Sequence, residues 1–250
     1  MAILPAVIVK MSRPKSANSA LISDLRLLSL IFLVVLFGQL ICFPSAESYA
    51  TYPLDRFEPE IRAFESEEKA SPHVSGQTLF IGSSTFVHWK TLEQDFSDLH
   101  AINRGFGGST IPEINYYEKR LVAKYHPSKI VFYAGTNDIA EGHSGTQVCA
   151  DFVRFVQAVH KDVPDSDIYF ISMSVAPSRL AKQAEFDSGN ALIREYIKAN
   201  PKLHYIDVVP VMLDGDGQLK SEYFGPDHLH MLPAGYAAWM PIIRSALSTP

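Results

Sequence analysis

Cysteine is scarce in this chain, with only Cys42 and Cys149 among 250 residues. Cys42 lies inside an apolar N-terminal segment, so no bridge to Cys149 is expected, and a disulfide framework is excluded. Cys149 then reads as a lone buried thiol. Excess positive charge is also missing: 22 basic residues face 27 acidic ones, for a formal net charge of -5. The charges are mixed along the chain, and the basic stripe a nucleic-acid-binding surface needs is absent. Internal repeats and low-complexity tracts are lacking, as is a helical two-histidine zinc motif. A composition of 47% hydrophobic and 20% charged residues instead supports a packed core. The length suits one ordinary domain plus an extension.

One long hydrophobic run is present. Lys10, Arg13, Lys15 and Arg26 precede Leu27–Phe43, which is apolar apart from Ser29, Gly38 and Gln39. A basic flank ahead of such a run predicts a secretory signal peptide or a signal anchor over residues 1–50. Cleavage would follow Ala46 or Ala50, with Ser48-Tyr49-Ala50 the better small-residue pattern. Bulky Ile41 argues against lipid attachment at Cys42. The expectation is an exported domain, periplasmic, extracellular or membrane-anchored. Residues 51–76, rich in Glu, Pro, Ser and Ala, read mainly as a linker, with a short helix allowed over Arg56–Lys69.

From Gln77 onward, short apolar runs alternate with amphipathic stretches. Strands are predicted at Thr78–Gly82, Leu99–Asn103, Lys129–Ala134, Asp167–Ser172 and His204–Val208. Helices are predicted at Phe86–Phe96, Pro112–Tyr125, Thr146–Val163, Ala184–Ala199 and Pro233–Ala246. The third of these places Val148, Phe152, Phe155, Val156 and Val159 on one face. Such alternation implies a five-stranded parallel sheet covered on both sides, an α/β three-layer sandwich over residues 77–250. Ligands bind such sheets beyond the carboxyl ends of the strands.

Four segments could carry chemistry there. Gly82-Ser83-Ser84 ends the first strand and enters a helix. A serine there can act as a nucleophile, although by itself it reads more simply as a helix cap. Asn103–Gly108 contains three glycines, which allow a backbone N–H to approach a ligand closely; alone, it is a plain loop. Gly135-Thr136-Asn137-Asp138 follows the strongest strand, and Asn137 offers a neutral amide donor or an ordinary Asx turn. Asp227-His228-Leu229-His230 spaces a carboxylate three residues from an imidazole, the pairing that orients a general base. Each is weak alone; their order is not.

Together these segments resemble the four sequence blocks of the SGNH hydrolases, the GDSL esterase/lipase family, over roughly Thr78 to Ala246. The resemblance implies a flavodoxin-like α/β/α sandwich. It implies Ser84 as nucleophile, Asp227 and His230 as its partners, and Ser84, Gly108 and Asn137 as the oxyanion hole. Gly82-Ser83-Ser84-Thr85 stands where the family usually has Gly-Asp-Ser-Leu, which leaves Ser83 as a rival to Ser84. The implied activity is carboxylic-ester hydrolysis on a small-molecule or lipid ester, lysophospholipase-like or as a carbohydrate O-deacetylase.

A membrane-tethered, non-catalytic binding module on the same fold is the alternative. A metal-dependent hydrolase using Asp138, Asp207, Asp227, His228 and His230 is disfavoured, because His228 and His230 are too close to share one ion easily. No cofactor or metal is expected, and oligomeric state is not read. Trp89, Tyr236 and Trp239 read as core, and His100, His126, His143, His160 and His204 as surface residues.

Overall fold

The computed structural model describes residues 53–248, all within one compact unit. The N-terminal apolar run and its cleavage sites therefore lie outside the described residues. Five strands form the frame: β1 (Thr78–Gly82), β2 (Ala101–Gly105), β3 (Lys129–Tyr133), β4 (Asp167–Ile171) and β5 (Leu203–Ile206). They pair in the order β2-β1-β3-β4-β5, every pair parallel. Parallel strands are buried on both faces and need continuous apolar runs. Thr78-Leu79-Phe80-Ile81-Gly82 is such a run, and all five of its residues are buried.

The period-two alternation of strands sorts side chains between two cores. Leu79, Ile81, Ile130, Phe132 and Phe170 face α1 (Glu58–Ala70), α4 (Ile111–Leu121), α6 (Gly145–Asp162) and α7 (Gln183–Lys198). Phe80, Val131, Tyr133 and Tyr169 face α2 (Ser84–His88), α3 (Leu92–Asp95) and α8 (Pro233–Leu247). Trp89, Tyr236 and Trp239 sit in this second core. α6 begins at a capping box formed by Ser144 and Gln147 and buries the apolar face its periodicity indicated. α4 begins at another, Thr110 with Glu113. Each such cap is worth about 1 kcal/mol.

Four differences from the sequence reading have local causes. The single helix expected over Phe86–Phe96 is broken, because Trp89 Nε1 (2.6 Å) and Thr91 Oγ1 (2.7 Å) both donate to Asp95 Oδ2. Those side-chain bonds compete with a continuous helix. A short α5 (Thr136–Ala140) appears where only a turn was read. The stretch read mainly as a linker is helical as α1, and its Ile61 is fully buried. Arg120 also pairs with Glu58 and Glu65 across the α1–α4 contact. Exposed ion pairs contribute roughly 0.2–1 kcal/mol, whereas burying an isoleucine contributes about 1.5–3 kcal/mol. Apolar burial therefore docks this helix. Lastly, Cys149 is buried and disulfide-bonded rather than a lone thiol, its partner lying outside the described residues.

Strand order decides where a site can form. The chain leaves β1 toward β2 and leaves β3 toward β4, so the connections diverge between β1 and β3. That divergence opens a crevice at the carboxyl edge of the sheet. Gly82 lies in register with both Gly105 and Tyr133, so the loops after β1, β2 and β3 start at one level. A Cβ on Gly82 would sit 2.1 Å from the Tyr133 carbonyl oxygen, so only glycine permits this closeness.

Candidate active site

Ser83 and Ser84 follow Gly82 and are held very differently. Ser83 is buried, and its N–H donates to the Tyr133 carbonyl (3.2 Å). Ser84 is the first residue of α2, where a helix leaves its N–H without an intrahelical partner. The Ser84 side chain is partly exposed in the crevice, with Oγ 3.0 Å from His230 Nε2.

His230 reaches that position on the loop before α8. Asp227 Oδ2 lies 2.7 Å from His230 Nδ1, while Asp227 Oδ1 accepts the backbone N–H groups of Leu229 and His230, each at 3.0 Å. The turn closes because Gly225 N–H donates to the His230 carbonyl and His228 N–H donates to the Gly225 carbonyl. It also forces His228 into the left-handed region at φ 56°, away from the site chemistry. The hydrogen bond from His230, with those from the two backbone N–H groups, holds the Asp227 carboxyl far below the usual carboxylate range. An ionised Asp227 fixes the tautomer that leaves Nε2 to accept a proton.

The opposite wall comes from the loops after β2 and β3. Gly107 lies beside Ser84, its Cβ direction ending 3.9 Å from Ser84 Cβ, and Gly108 follows at φ 81°. Gly135 (φ 103°) turns the chain so closely over Met173 and Val148 that a side chain there would overlap both. This turn presents Asn137, whose Oδ1 accepts from Arg179 Nη2 (2.9 Å) and whose Nδ2 donates to the Ser109 carbonyl (2.9 Å). Arginine has only donors, so it orients the amide oxygen toward itself and leaves the second amide hydrogen for a ligand. Arg179 also donates to the Thr136 carbonyl (2.9 Å), and burial pushes its pKa down.

Between the walls is a cavity of about 30 Å³, lined by Ser84, Tyr133, Thr136, Arg179, His230 and Trp239 among others. Burial pushes the Tyr133 hydroxyl up to about 12, so it stays a neutral donor. His88 stacks on His230 with ring centroids 4.1 Å apart, and burial followed by the His230 charge pushes its pKa down.

Ser84, Asp227 and His230 are thus brought together, with Gly108 on the loop after β2 and Asn137 on α5 opposite them. The five residues considered for a metal-dependent hydrolase do not gather. Asp138 is buried, with Oδ1 accepting from Ile111 N–H (3.0 Å), while Asp207 pairs with Arg194. Among the histidines read as surface residues, His143 and His160 are half-buried, and His204 stacks on Tyr169. Sequence reasoning gave no role to His88, and read Arg179 only as part of a stretch, Val175–Asp187, that walls the pocket, which it does. His88, four residues after Ser84, lies one helical turn beyond it, a spacing that could have singled it out. Arg179 stands in a 3-10 helix, Pro177–Lys182, and its bonds to Thr136 and Asn137 had no signal in the sequence.

Comparison with known proteins identifies the chain's relatives. A profile of the GDSL-like lipase/acylhydrolase family matches residues 77–238. The platelet-activating factor acetylhydrolase IB subunit alpha1 of Pongo abelii is 28% identical over 179 residues, covering 68% of this chain and 73% of that protein. The Homo sapiens counterpart is 27% identical, with the same coverage. Among solved structures, a GDSL-like lipase from Bacteroides thetaiotaomicron superposes with a TM-score of 0.66 at 22% identity, covering 75% of this chain and 96% of the other. A catalytic mutant of an acetylxylan esterase from Geobacillus stearothermophilus gives 0.57 at 14% identity, covering 71% and 97%.

Proposed function

Because the chain belongs to the GDSL-like lipase/acylhydrolase family and is an ester-bond hydrolase, we propose that it is a serine carboxylic-ester hydrolase acting through Ser84, His230 and Asp227. The observation that carries this reading is the unbroken chain of short contacts, Ser84 Oγ to His230 Nε2 (3.0 Å) and His230 Nδ1 to Asp227 Oδ2 (2.7 Å). His230 accepts the Ser84 proton as Oγ bonds to the acyl carbon. The carbonyl oxygen becomes an oxyanion facing the Ser84 and Gly108 N–H groups and the Asn137 amide. Collapse expels the alcohol, which takes the proton from His230, and leaves an acyl group on Ser84. Water then attacks the acyl carbon with His230 again as base, which releases the carboxylic acid and restores the serine. Asp227 stabilises the imidazolium in both halves.

We infer a short acyl group, of the acetyl class. The cavity of about 30 Å³ beside Ser84 is small and lined by the bulky side chains of Tyr133, Met212, Phe224 and Trp239, which favours a short acyl group over a long chain. The names of two relatives point the same way, an acetylhydrolase and an acetylxylan esterase. Hydrolysis of p-nitrophenyl acetate, butyrate and octanoate tests this directly. Acetate is expected to be turned over at least tenfold faster than octanoate, and a preference for octanoate refutes the short pocket. Acetylated xylo-oligosaccharides and an acetylated phospholipid, assayed side by side, distinguish the alcohol. Covalent labelling by a fluorophosphonate separates an enzyme from a binding module, which would stay unlabelled.

Export is part of the same proposal, supported by the basic flank and apolar run of the first fifty residues. Fractionation of cells producing the full chain, with N-terminal sequencing of the product, tests it. A cytoplasmic product with an intact N-terminus refutes it.

A further inference from the structure

Behind the Asn137 loop, two carboxylates are buried more completely than their hydrogen bonds explain. Asp138 is 0% exposed and Asp151 is 1% exposed. Asp138 Oδ1 is satisfied by Ile111 N–H, and Asp151 Oδ1 pairs with Arg154. The second oxygen of each, Oδ2, is buried and receives no hydrogen bond from the protein. Unpartnered buried oxygens are costly and demand an explanation. The imidazole of His143 completes the group: one ligand atom from each of the three residues lies within 4.8 Å of the others.

We propose that Asp138, His143 and Asp151 form a binding site for one divalent cation of the zinc class. Two carboxylate oxygens and one imidazole nitrogen suit Zn²⁺ or its first-row neighbours, whereas Ca²⁺ and Mg²⁺ take all-oxygen sets. Charge argues the same way, because Arg154 compensates only one of the two carboxylates. Zinc bonds of about 2.0–2.2 Å set neighbouring ligands about 3.3 Å apart, so the three side chains must draw inward. His143 is half-buried, at the edge of the cluster. Its backbone N–H already donates to the Asp138 carbonyl (2.9 Å).

The cation's role would be structural. Asp138 follows Asn137 directly and holds the first residue of α4, while Asp151 lies on α6. A bound ion would therefore cross-link α5, which bears the amide, to α4 and α6 without touching Ser84. The rival occupant is a proton, since burial pushes Asp138 up to about 7.

The test uses the full chain stripped with a chelator and dialysed. Zn²⁺ is titrated by calorimetry, and Co²⁺ serves as an absorption probe of ligand geometry. We expect one Zn²⁺ per chain and a melting temperature raised by several degrees. Affinity should fall at least tenfold in Asp151→Asn and in His143→Ala. It should be unchanged in His88→Ala and His230→Ala, which excludes the stacked histidine pair as the true site. If Asp151→Asn fails to fold, His143→Ala decides alone. Absence of Zn²⁺ binding overturns the proposal and leaves a shared proton between the carboxylates. Binding that survives His143→Ala, or is lost in His230→Ala, overturns it too.

Discussion

The two sides of the crevice are built in opposite ways. Ser84 and Asn137 stand directly after β1 and β3, neighbouring strands at the centre of the sheet, and Asn137 is buried under Arg179 and Ser109. Asp227 and His230 belong to an irregular loop, with side chains 51% and 28% exposed, held by their own turn. The strand-end side is rigid because a parallel sheet fixes it. The loop side is positioned by three hydrogen bonds to one ionised carboxylate and by two backbone bonds that close the turn. Difference in support should therefore separate the variants more than difference in chemistry does.

The largest effect belongs to the nucleophile. Ser84→Ala should reduce kcat for p-nitrophenyl acetate by about 10⁴-fold or more, while Ser83→Ala keeps activity within a few fold if the protein folds. Equal loss in both variants would erase the distinction between the buried and the exposed serine. Next comes the loop side. Asp227→Asn should lower kcat by about 10³–10⁴-fold, because an amide keeps an oxygen for the two backbone N–H groups but turns a donor toward His230 Nδ1, so the productive tautomer is lost. A crystal structure of the variant should show His230 displaced from Ser84; an undisplaced ring would mean that the turn needs no charge.

On the strand-end side, Asn137→Ala should cost about 10²–10³-fold in kcat with KM little changed. Arg179→Lys sharpens this, because a point charge cannot bond Thr136 and Asn137 together as the planar fork does. It should lose about tenfold in kcat, and an effect confined to KM would make Arg179 a substrate contact instead. The smallest effect lies away from the crevice. Arg120 holds Glu58 down at about 2, and lowers Glu65 as well. Both groups bind protons less readily in the folded chain, so their contribution is present above about pH 4.5 and fades as pH falls toward 2. Cleavage within α1 by an acid-active protease should rise over that window, and Arg120→Gln should show the same cleavage at pH 5. Flat susceptibility would mean that Ile61 burial alone keeps the helix docked.

Legibility in the sequence followed the same division. β1 was readable to the residue because Thr78–Gly82 is buried on both faces, so every position shows the constraint. The α6 face was readable because five apolar side chains recur at helical spacing. The break at Trp89–Thr91 was not, since it depends on Asp95 accepting two side-chain bonds that propensity does not register. α1 was read mainly as a linker because its exposed face is crowded with glutamate, and one isoleucine carries its docking. Cys149 was read as a lone thiol because Cys42 lies in the apolar N-terminal segment. His143 looked like surface, yet it closes on two buried carboxylates.

By itself, the sequence determined the parallel α/β alternation, the strand ends that carry Ser84, Gly108 and Asn137, and the Asp-x-x-His spacing of Asp227 and His230. All of these are local: periodicity, turn chemistry and residue order are properties of short windows. Only the tertiary structure buried Ser83, brought Ser84 to His230, set the amide of Asn137 with Arg179, laid His88 against His230 and shaped the small pocket beside them. Those outcomes depend on groups up to 146 residues apart in the chain, such as Ser84 and His230. Distances of that kind are set by strand order and packing, which no short window contains.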